Sequence, residues 1–468
     1  MISYEETQEE LDRRELLTET WDAPVIISTL VQLLHILFSH KTSAVRRMNA
    51  LCDSVIVIDE VQSLPLKFAR LFSMAINFLA ECCKATVVLC SATQPTFELL
   101  EPALHVEKED QIVKLDAERE KAFQRVEIIN KITPKGMSID ELADFAEKTI
   151  ETRDSVLIIC NTKSEARDLF KQLKFIAQDK YALYHLSTSM CPKHREKTLN
   201  RIGKTPGLGE KEKVICVATQ MVECGINFSF ESVIRIEAGV DNIVQAAGRC
   251  NRSNEWKKLC QVFVVRLKDE KLGPLKSIRE AQSCFSAIIQ QETADDTDFM
   301  SENFIRAYYQ RYFKKYDNIK EMAYHVTIGP NLDMNSSVTT MLSMHKTYND
   351  KIPYQMRQAF HTAGKACKVF DDEKTDVVVR YDAVSEQCIS NLFSEKAKFD
   401  LSYVQEQLKK LKIYTVSLFE HELTQLKQNG MLQYQQNTGI LILDKSAYNS
   451  DLGVTVNEYR QENDFMIF

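Results

Sequence analysis

Residues 55–62 read Val-Ile-Val-Ile-Asp-Glu-Val-Gln. An apolar, β-branched run that ends in two carboxylates delivers Asp59 and Glu60 to the carboxyl edge of a strand, where α/β proteins bind ligands. In a nucleotide hydrolase such an aspartate holds Mg²⁺ through water, and the glutamate orients and deprotonates the attacking water. A strand ending in two acids is common, so this pattern needs company. Ser91-Ala92-Thr93 also comes directly after an apolar run. Small hydroxyl side chains at a strand tip suit a hinge that links one site to another, although strand-to-turn transitions in general look like this.

The more specific signal is Gln245-Ala246-Ala247-Gly248-Arg249-Cys250-Asn251-Arg252, opened by Asp241. It reads as a short helix that carries Arg249 and Arg252 at i and i+3 on one face, able to reach an anionic phosphate chain together. Guanidinium groups in such positions stabilise charge on a transferring γ-phosphoryl group. Two further segments run from an apolar strand into a turn with hydroxyl and amide side chains. They are Asn161-Thr162, and Thr219-Gln220 leading to Gly225. Together with Ser28, Thr29 and Gln32 near the start, these would contact a nucleic-acid backbone through hydroxyls and main-chain N–H groups, which hold phosphates without reading sequence.

The elements that must position these groups are short, nearly continuous apolar runs. They include Val55–Ile58, Val87–Cys90, Val156–Ile159, Val214–Val217 and Val233–Ile236. Runs of this kind suit strands buried on both faces of a parallel sheet. Helix-length segments such as Leu64–Cys83 and Ser164–Ile176 lie between them, which is α/β architecture. A charged segment between Val113 and Gly136 separates two α/β lobes, giving residues 1–124 and 125–272. A predominantly helical connector spans 273–355, and a small mixed domain spans 356–468 with strand-like Val377–Tyr381 and Ile440–Leu443 around a helix near Leu401–Leu411. The tyrosines from Tyr308 to Tyr316 suit helix packing better than base stacking.

Composition bounds the rest. A chain of 468 residues with 44% hydrophobic and 27% charged content is an ordinary globular protein with room for about three domains. The net charge of −7 provides no bulk cationic field, so any nucleic-acid contact must come from a local groove. Thirteen cysteines, an odd number without a C-x-x-C pair, read as buried thiols in a reducing compartment. The acidic start is no signal peptide, and no apolar run approaches the ~18 residues of a membrane span. A cytoplasmic protein with no membrane partner is expected.

Taken in order, these segments resemble the motif series of superfamily 2 helicases: DEVQ looks like motif II, SAT like motif III, ATQMVECG like motif V and QAAGRCNR like motif VI. The chain is most similar to the CRISPR-associated helicase–nuclease of type I systems, in WDAPVIISTLVQ, VIVIDEVQSLP, SATQPTF, AGVDNIVQAAGRCNR and, towards the end, FHTAGKACKVFDD and GILILDKSAYNSDLG. The resemblance implies two RecA-like parallel-sheet lobes, then the helical connector and the mixed C-terminal domain. It implies ATP-driven movement along single-stranded DNA on a target marked by a guide-RNA surveillance complex. Asp59 carries over as the Mg²⁺ residue and Glu60 as the water-activating one. Arg249 and Arg252 carry over as γ-phosphate contacts. Gln62, Ser91, Thr93, Gly225, Gln245 and Gly248 carry over to ATP binding and coupling. Ser28, Thr29, Gln32, Asn161, Thr162, Thr219 and Gln220 carry over to the strand. Asn227 stands where many relatives have an acid, so it keeps hydrogen bonding but not charge.

The start departs from the family pattern. The 58 residues ahead of Asp59 contain no glycine, so no G-x-x-x-x-G-K-[ST] phosphate loop lies there. Gly203-Lys204-Thr205 lacks the upstream glycine, Thr198 standing in that place, and no adjacent His–Asp pair marks a nuclease. The first lobe is therefore expected to be incomplete and the chain inactive alone, either as a truncated reading frame or as one half of a split protein whose separate upstream chain supplies phosphate loop and nuclease domain. A non-catalytic module that binds nucleic acid or the surveillance complex is the alternative.

Overall fold

The short apolar runs do form strands, and the turns at their carboxyl ends carry the candidate site residues. The computed structural model describes residues 16–456 except 107–109, 114–116, 178–179, 205–212, 224, 274, 291–297, 319–321, 323, 325–336, 343–358 and 369–373. Thr205 and Cys224, which belong to sequence motifs above, lie outside the described residues. The chain divides into two units, residues 1–114 with 300–371, and residues 115–299 with 372–468.

In the first unit β1 (Val55–Ile58) and β2 (Thr86–Leu89) pair in parallel, from Val55 opposite Thr86 to Ile58 opposite Leu89. The crossover between them contains the helix Ala69–Glu81, which buries Leu71, Phe72, Ile76 and Leu79. The expectation of strands covered on both faces does not hold here. Val55 and Val57 are 71% and 62% exposed, whereas Ile58 is buried. Alternate residues of a strand face opposite ways, and among the described residues this two-stranded sheet is covered on one face only. The helix Glu302–Asn318 belongs to the same unit and stacks Phe313 on Phe97 with ring centroids 6.2 Å apart. Tyr308, Tyr309 and Tyr316 are buried, so these tyrosines are core residues.

The second unit holds a six-stranded, all-parallel sheet made of β3 (Val126–Asn130), β4 (Ser155–Cys160), β5 (Ala182–Leu186), β6 (Val214–Thr219), β7 (Ser232–Ile236) and β8 (Cys260–Val265), in the order β3-β8-β7-β4-β6-β5. Its two faces feed two separate apolar clusters. Val156, Ile158, Ile215 and Val217 enter one, and Leu157, Ile159, Cys216 and Ala218 the other. That is the both-face burial of a parallel sheet, and it matches the α/β class. The segment read from sequence as a charged connection contributes β3 at one edge. The helix Ile139–Glu151 starts at a reciprocal cap, in which Ser138 Oγ accepts from the Glu141 amide and Glu141 Oε2 accepts from the Ser138 amide. The helix Lys163–Ala177 comes after β4.

The same unit ends in a mixed sheet of β9 (Lys374–Val378), β10 (Thr415–Phe419), β11 (Leu432–Gln435) and β12 (Ile440–Leu443), ordered β10-β9-β12-β11, with β9 and β12 parallel and the outer pairs antiparallel. Helices Ala383–Leu392 and Leu401–Leu411 belong to this domain. A two-residue ladder of β13 (Tyr448–Asn449) and β14 (Gly453–Val454) closes it. The described cysteines are free thiols.

Candidate functional site

In the first unit Asp59 comes directly after β1 and is exposed, with one carboxylate oxygen accepting the Glu60 amide at 3.0 Å. Glu60 adopts φ +54°, a left-handed conformation unusual for a residue with a side chain. The chain therefore turns sharply at the strand tip. Gln62 donates from Nε2 to Glu60 Oε2, and its Oε1 accepts from Ser91 Oγ at 2.5 Å. Ser91 Oγ in turn accepts the Thr93 amide at 3.1 Å. A continuous side-chain chain thus runs from the acidic tip of β1 to the hydroxyl tip of β2. Thr93 is buried, and its Oγ1 has no hydrogen-bond partner among the described residues. Ser28, Thr29 and Gln32 are exposed at the first turn of the helix Leu30–Phe38, where Thr29 Oγ1 accepts the Gln32 amide at 3.3 Å.

In the second unit the tips of β4, β6 and β7 lie side by side. Thr219 ends β6 and is buried, while Gln220 opens a single 3₁₀ turn with its Nε2 buried and unpartnered among the described residues. Gly225, at φ +75°, and Asn227 are exposed. Thr162 caps the helix after β4 reciprocally. Its Oγ1 accepts the Glu165 amide, and Glu165 Oε2 accepts the Thr162 amide, both at 3.1 Å. Asn161 faces inward. Its Nδ2 donates to the Glu237 carbonyl and to Glu270 Oε1, and its Oδ1 accepts from Arg235.

Motif VI is built differently from the sequence reading. The helix is Val240–Ala247 and is capped at Gly248, so Gln245 is helical but Arg249 and Arg252 lie in the turn beyond it. The cause is local. The Phe230 amide donates to the Arg249 carbonyl and the Asn251 amide to the Phe230 carbonyl, drawing the chain out of the helix, and Asn251 takes φ +46°. The two guanidiniums nevertheless converge. Arg249 NH1 and Arg252 NH1 both donate to the Ile226 carbonyl, at 2.6 and 3.0 Å, and Arg249 NH2 donates to the Glu223 carbonyl at 2.5 Å. Motifs V and VI are thus cross-linked through the backbone of the former.

Sequence reasoning missed the ionic network beneath these tips. Arg235, fully buried on β7, pairs with Glu223 at 2.8 Å, and Asn242 also donates to Glu223 at 2.9 Å. Arg266 grips Glu237 through Nε and NH2 at 2.6 and 3.0 Å. Burial pushes the Glu165 carboxyl up to about 7, with Glu270 adding to the rise, and burial also raises Glu270. An arginine inside the apolar run Ser232–Ile236 was the available signal, since an arginine is rarely buried unless paired.

Among the described residues no group of three or more His, Cys, Asp or Glu side chains is placed to hold a metal ion. Also among them, no helix is long and apolar enough to cross a membrane.

Comparison with known proteins bears on the fold. Residues 152–255 match the family described as CRISPR-associated nuclease/helicase Cas3, C-terminal. The CRISPR-associated nuclease/helicase Cas3 of Haloferax volcanii is 25% identical over 336 residues, covering 54% of this chain and 36% of that protein. The crystal structure of T. fusca Cas3-ADP matches with a TM-score of 0.58 at 15% identity, over 89% of this chain and 54% of that one; the same protein with ATP gives 0.59. A chain of a CRISPR RNA-guided surveillance complex, pre-nicking, matches at 0.55 and 13% identity, over 94% of this chain and 60% of that one. The chain therefore spans little more than half the length of the solved structures it resembles, and about a third of the curated relative.

Proposed function

We propose that this Cas3 helicase-like chain is the strand-gripping and phosphate-sensing part of an ATP-driven, single-stranded-DNA motor of type I CRISPR interference. The observation that carries the reading is the convergence of Arg249 and Arg252 on one carbonyl oxygen of motif V. Two guanidiniums held together prefer an anionic oxygen to a neutral one. A phosphoryl oxygen arriving there would displace the Ile226 carbonyl and so release the motif V turn. Gly225 and Asn227 would then respond to the nucleotide and carry with them Thr219 and Gln220, which hold the strand backbone together with Ser28, Thr29, Gln32 and the Thr162 turn.

The cofactors fit in part. Asp59 offers an exposed carboxylate, the hard oxygen donor that a hydrated Mg²⁺ takes. Glu60, fixed by Gln62, is suited to orient a water. The bound ion would neutralise charge on the phosphates. A triphosphate cradle is not encoded in the 468 residues, because they hold no G-x-x-x-x-G-K-[ST] loop. Hydrolysis is therefore proposed to need a phosphate loop supplied from outside these residues, as is nuclease action. The open valine face of β1 is an apolar surface suited to such a segment. The surveillance-complex match supports a guide-RNA surveillance complex as partner, and the free thiols support a cytoplasmic setting.

The test is equilibrium binding of a fluorescent DNA single strand. Gln220→Ala and Thr29→Ala should each weaken binding about fivefold, the worth of one neutral hydrogen bond of about 1 kcal/mol. An unmodified chain that does not bind at low salt overturns the reading. The second reading, a binding module without catalysis, is favoured by the engagement of both guanidiniums with protein carbonyls. It predicts strand affinity indifferent to Arg249→Ala, and to ATP even when a phosphate loop is supplied.

A further inference from the structure

The C-terminal stretch around Tyr448 shares in the family resemblance, yet the function above makes no use of it. Within the second unit it reaches back to the loop between β5 and the helix Pro192–Lys204. Gly453 sits at φ +81°, and a Cβ there would lie 2.3 Å from the Ser189 carbonyl oxygen, so only glycine permits this approach. The Val454 amide donates to that same carbonyl at 2.9 Å. The Tyr448 hydroxyl accepts the Cys191 amide at 3.1 Å, lies 2.9 Å from His194 Nδ1 and donates to Cys191 Sγ at 3.5 Å. The His194 ring also stacks on Tyr381 at 4.8 Å. Apolar cores are exchanged as well: Cys191 belongs to the C-terminal domain's cluster and Leu452 to the cluster of the six-stranded sheet. Ion pairs Lys174–Asp451 and Lys163–Glu422, at 2.6 and 3.1 Å, stand at the margin.

The helix held in this way forms one wall of an open groove of about 450 Å³, where Arg195, Leu199 and Asn200 face Met221, Gly225 and Ile226. Ile226 is the residue whose carbonyl Arg249 and Arg252 share. The first turn of the helix is therefore fixed by the C-terminal domain, and its next turns set the distance to motif V.

We propose that Tyr448 is a positioning residue. Its hydroxyl locks Cys191 and His194, and so sets the groove between the helix Pro192–Lys204 and the motif V turn. The positional claim stands alone, whereas its consequence for strand affinity rests on the reading given under Proposed function. Removing the hydroxyl while keeping the ring frees the helix start without opening a cavity.

The experiment compares Tyr448→Phe with Ser138→Ala in the full chain. Ser138→Ala removes a helix cap of the same unit and serves as a control matched for general destabilisation. Hydrogen exchange and binding of a fluorescent DNA single strand are both read. Tyr448→Phe should speed amide exchange over 191–196 about five- to tenfold and weaken strand binding about fivefold, the size expected for a lost hydrogen bond, whereas Ser138→Ala should do neither. If Tyr448→Phe leaves exchange over 191–196 as in the unmodified chain, or changes binding no more than Ser138→Ala does, the proposal fails. If the unmodified chain does not bind single strands, the functional reading fails and the exchange comparison alone decides on Tyr448.

Discussion

At the scale of single residues, the buried charges beneath the strand tips make the sharpest statements. Arg235 is fully buried and its partner Glu223 nearly so. Arg235→Leu leaves a carboxylate in the interior without its cation and should cost about 3–5 kcal/mol. Adding Glu223→Gln should recover much of that loss, and urea unfolding of the single and double variants measures both. Glu165 has a pH signature. Its pKa in the folded chain is raised from 4.5 to about 7, so folding takes up a proton between those values. Its stabilising contribution is complete below pH 4.5 and is lost as the pH rises to 7. Glu165→Gln should therefore be neutral at pH 4 and stabilising by up to about 3 kcal/mol at pH 8, a difference that urea midpoints at the two pH values would reveal; a gain equal at both would contradict it. The residues that project from strand ends, Asp59, Glu60, Ser91 and Thr219, were legible because a strand that stops delivers its next side chain to the sheet edge. The network of Glu223, Arg235, Glu237 and Arg266 was not, because its members meet through the side-by-side packing of a turn and neighbouring strand ends, and no spacing rule joins them.

At the scale of elements, motif VI shows where periodicity can mislead. An i, i+3 spacing of arginines suggests one helix face, yet the helix ends at Gly248 and the pairing of Phe230 with residues 249–251 carries the arginines into a turn. Their convergence is tertiary, made by the Ile226 carbonyl. The central strands are legible almost to the residue because continuous Val/Ile runs have few alternatives. By contrast the edge strands β3 and β5 mix polar residues such as Glu127 and His185 among their apolar ones and escape the same pattern. The C-terminal ladder gives a prediction at this scale. Gly453→Ala places a methyl group against the Ser189 carbonyl at a positive φ, and overpacking together with left-handed strain should cost about 3 kcal/mol. Thermal unfolding would register it, as would lost exchange protection at the Val454 amide, which is bonded to Ser189. The helix cap at Ser138 is a smaller device, and Ser138→Ala should cost about 1 kcal/mol.

At the scale of the whole molecule, a net charge of −7 means that the proposed strand binding must be local. Affinity should fall as salt rises, with a shallow slope that reflects a few phosphate contacts, about 0.7 log units per contact per decade of salt. A titration of binding against salt concentration measures the slope, and a steep one would point to a contact surface larger than the residues named above. The α/β class is legible from pattern alone and the mixed C-terminal sheet in part, Ile440–Leu443 being a strand as read while Val377–Tyr381 gives way to Lys374–Val378. The embrace between C-terminal domain and second lobe is not, since it depends on one glycine and one tyrosine whose partners lie more than 250 residues away. The central claim is that these residues carry the acids and arginines of a nucleotide-driven motor but not the loop that cradles its phosphates. The most direct measurement is ATP turnover by the purified 468-residue chain with Mg²⁺ and single-stranded DNA, alongside Glu60→Gln. The account predicts DNA binding with turnover no higher than that of Glu60→Gln; turnover that Glu60→Gln abolishes would contradict it.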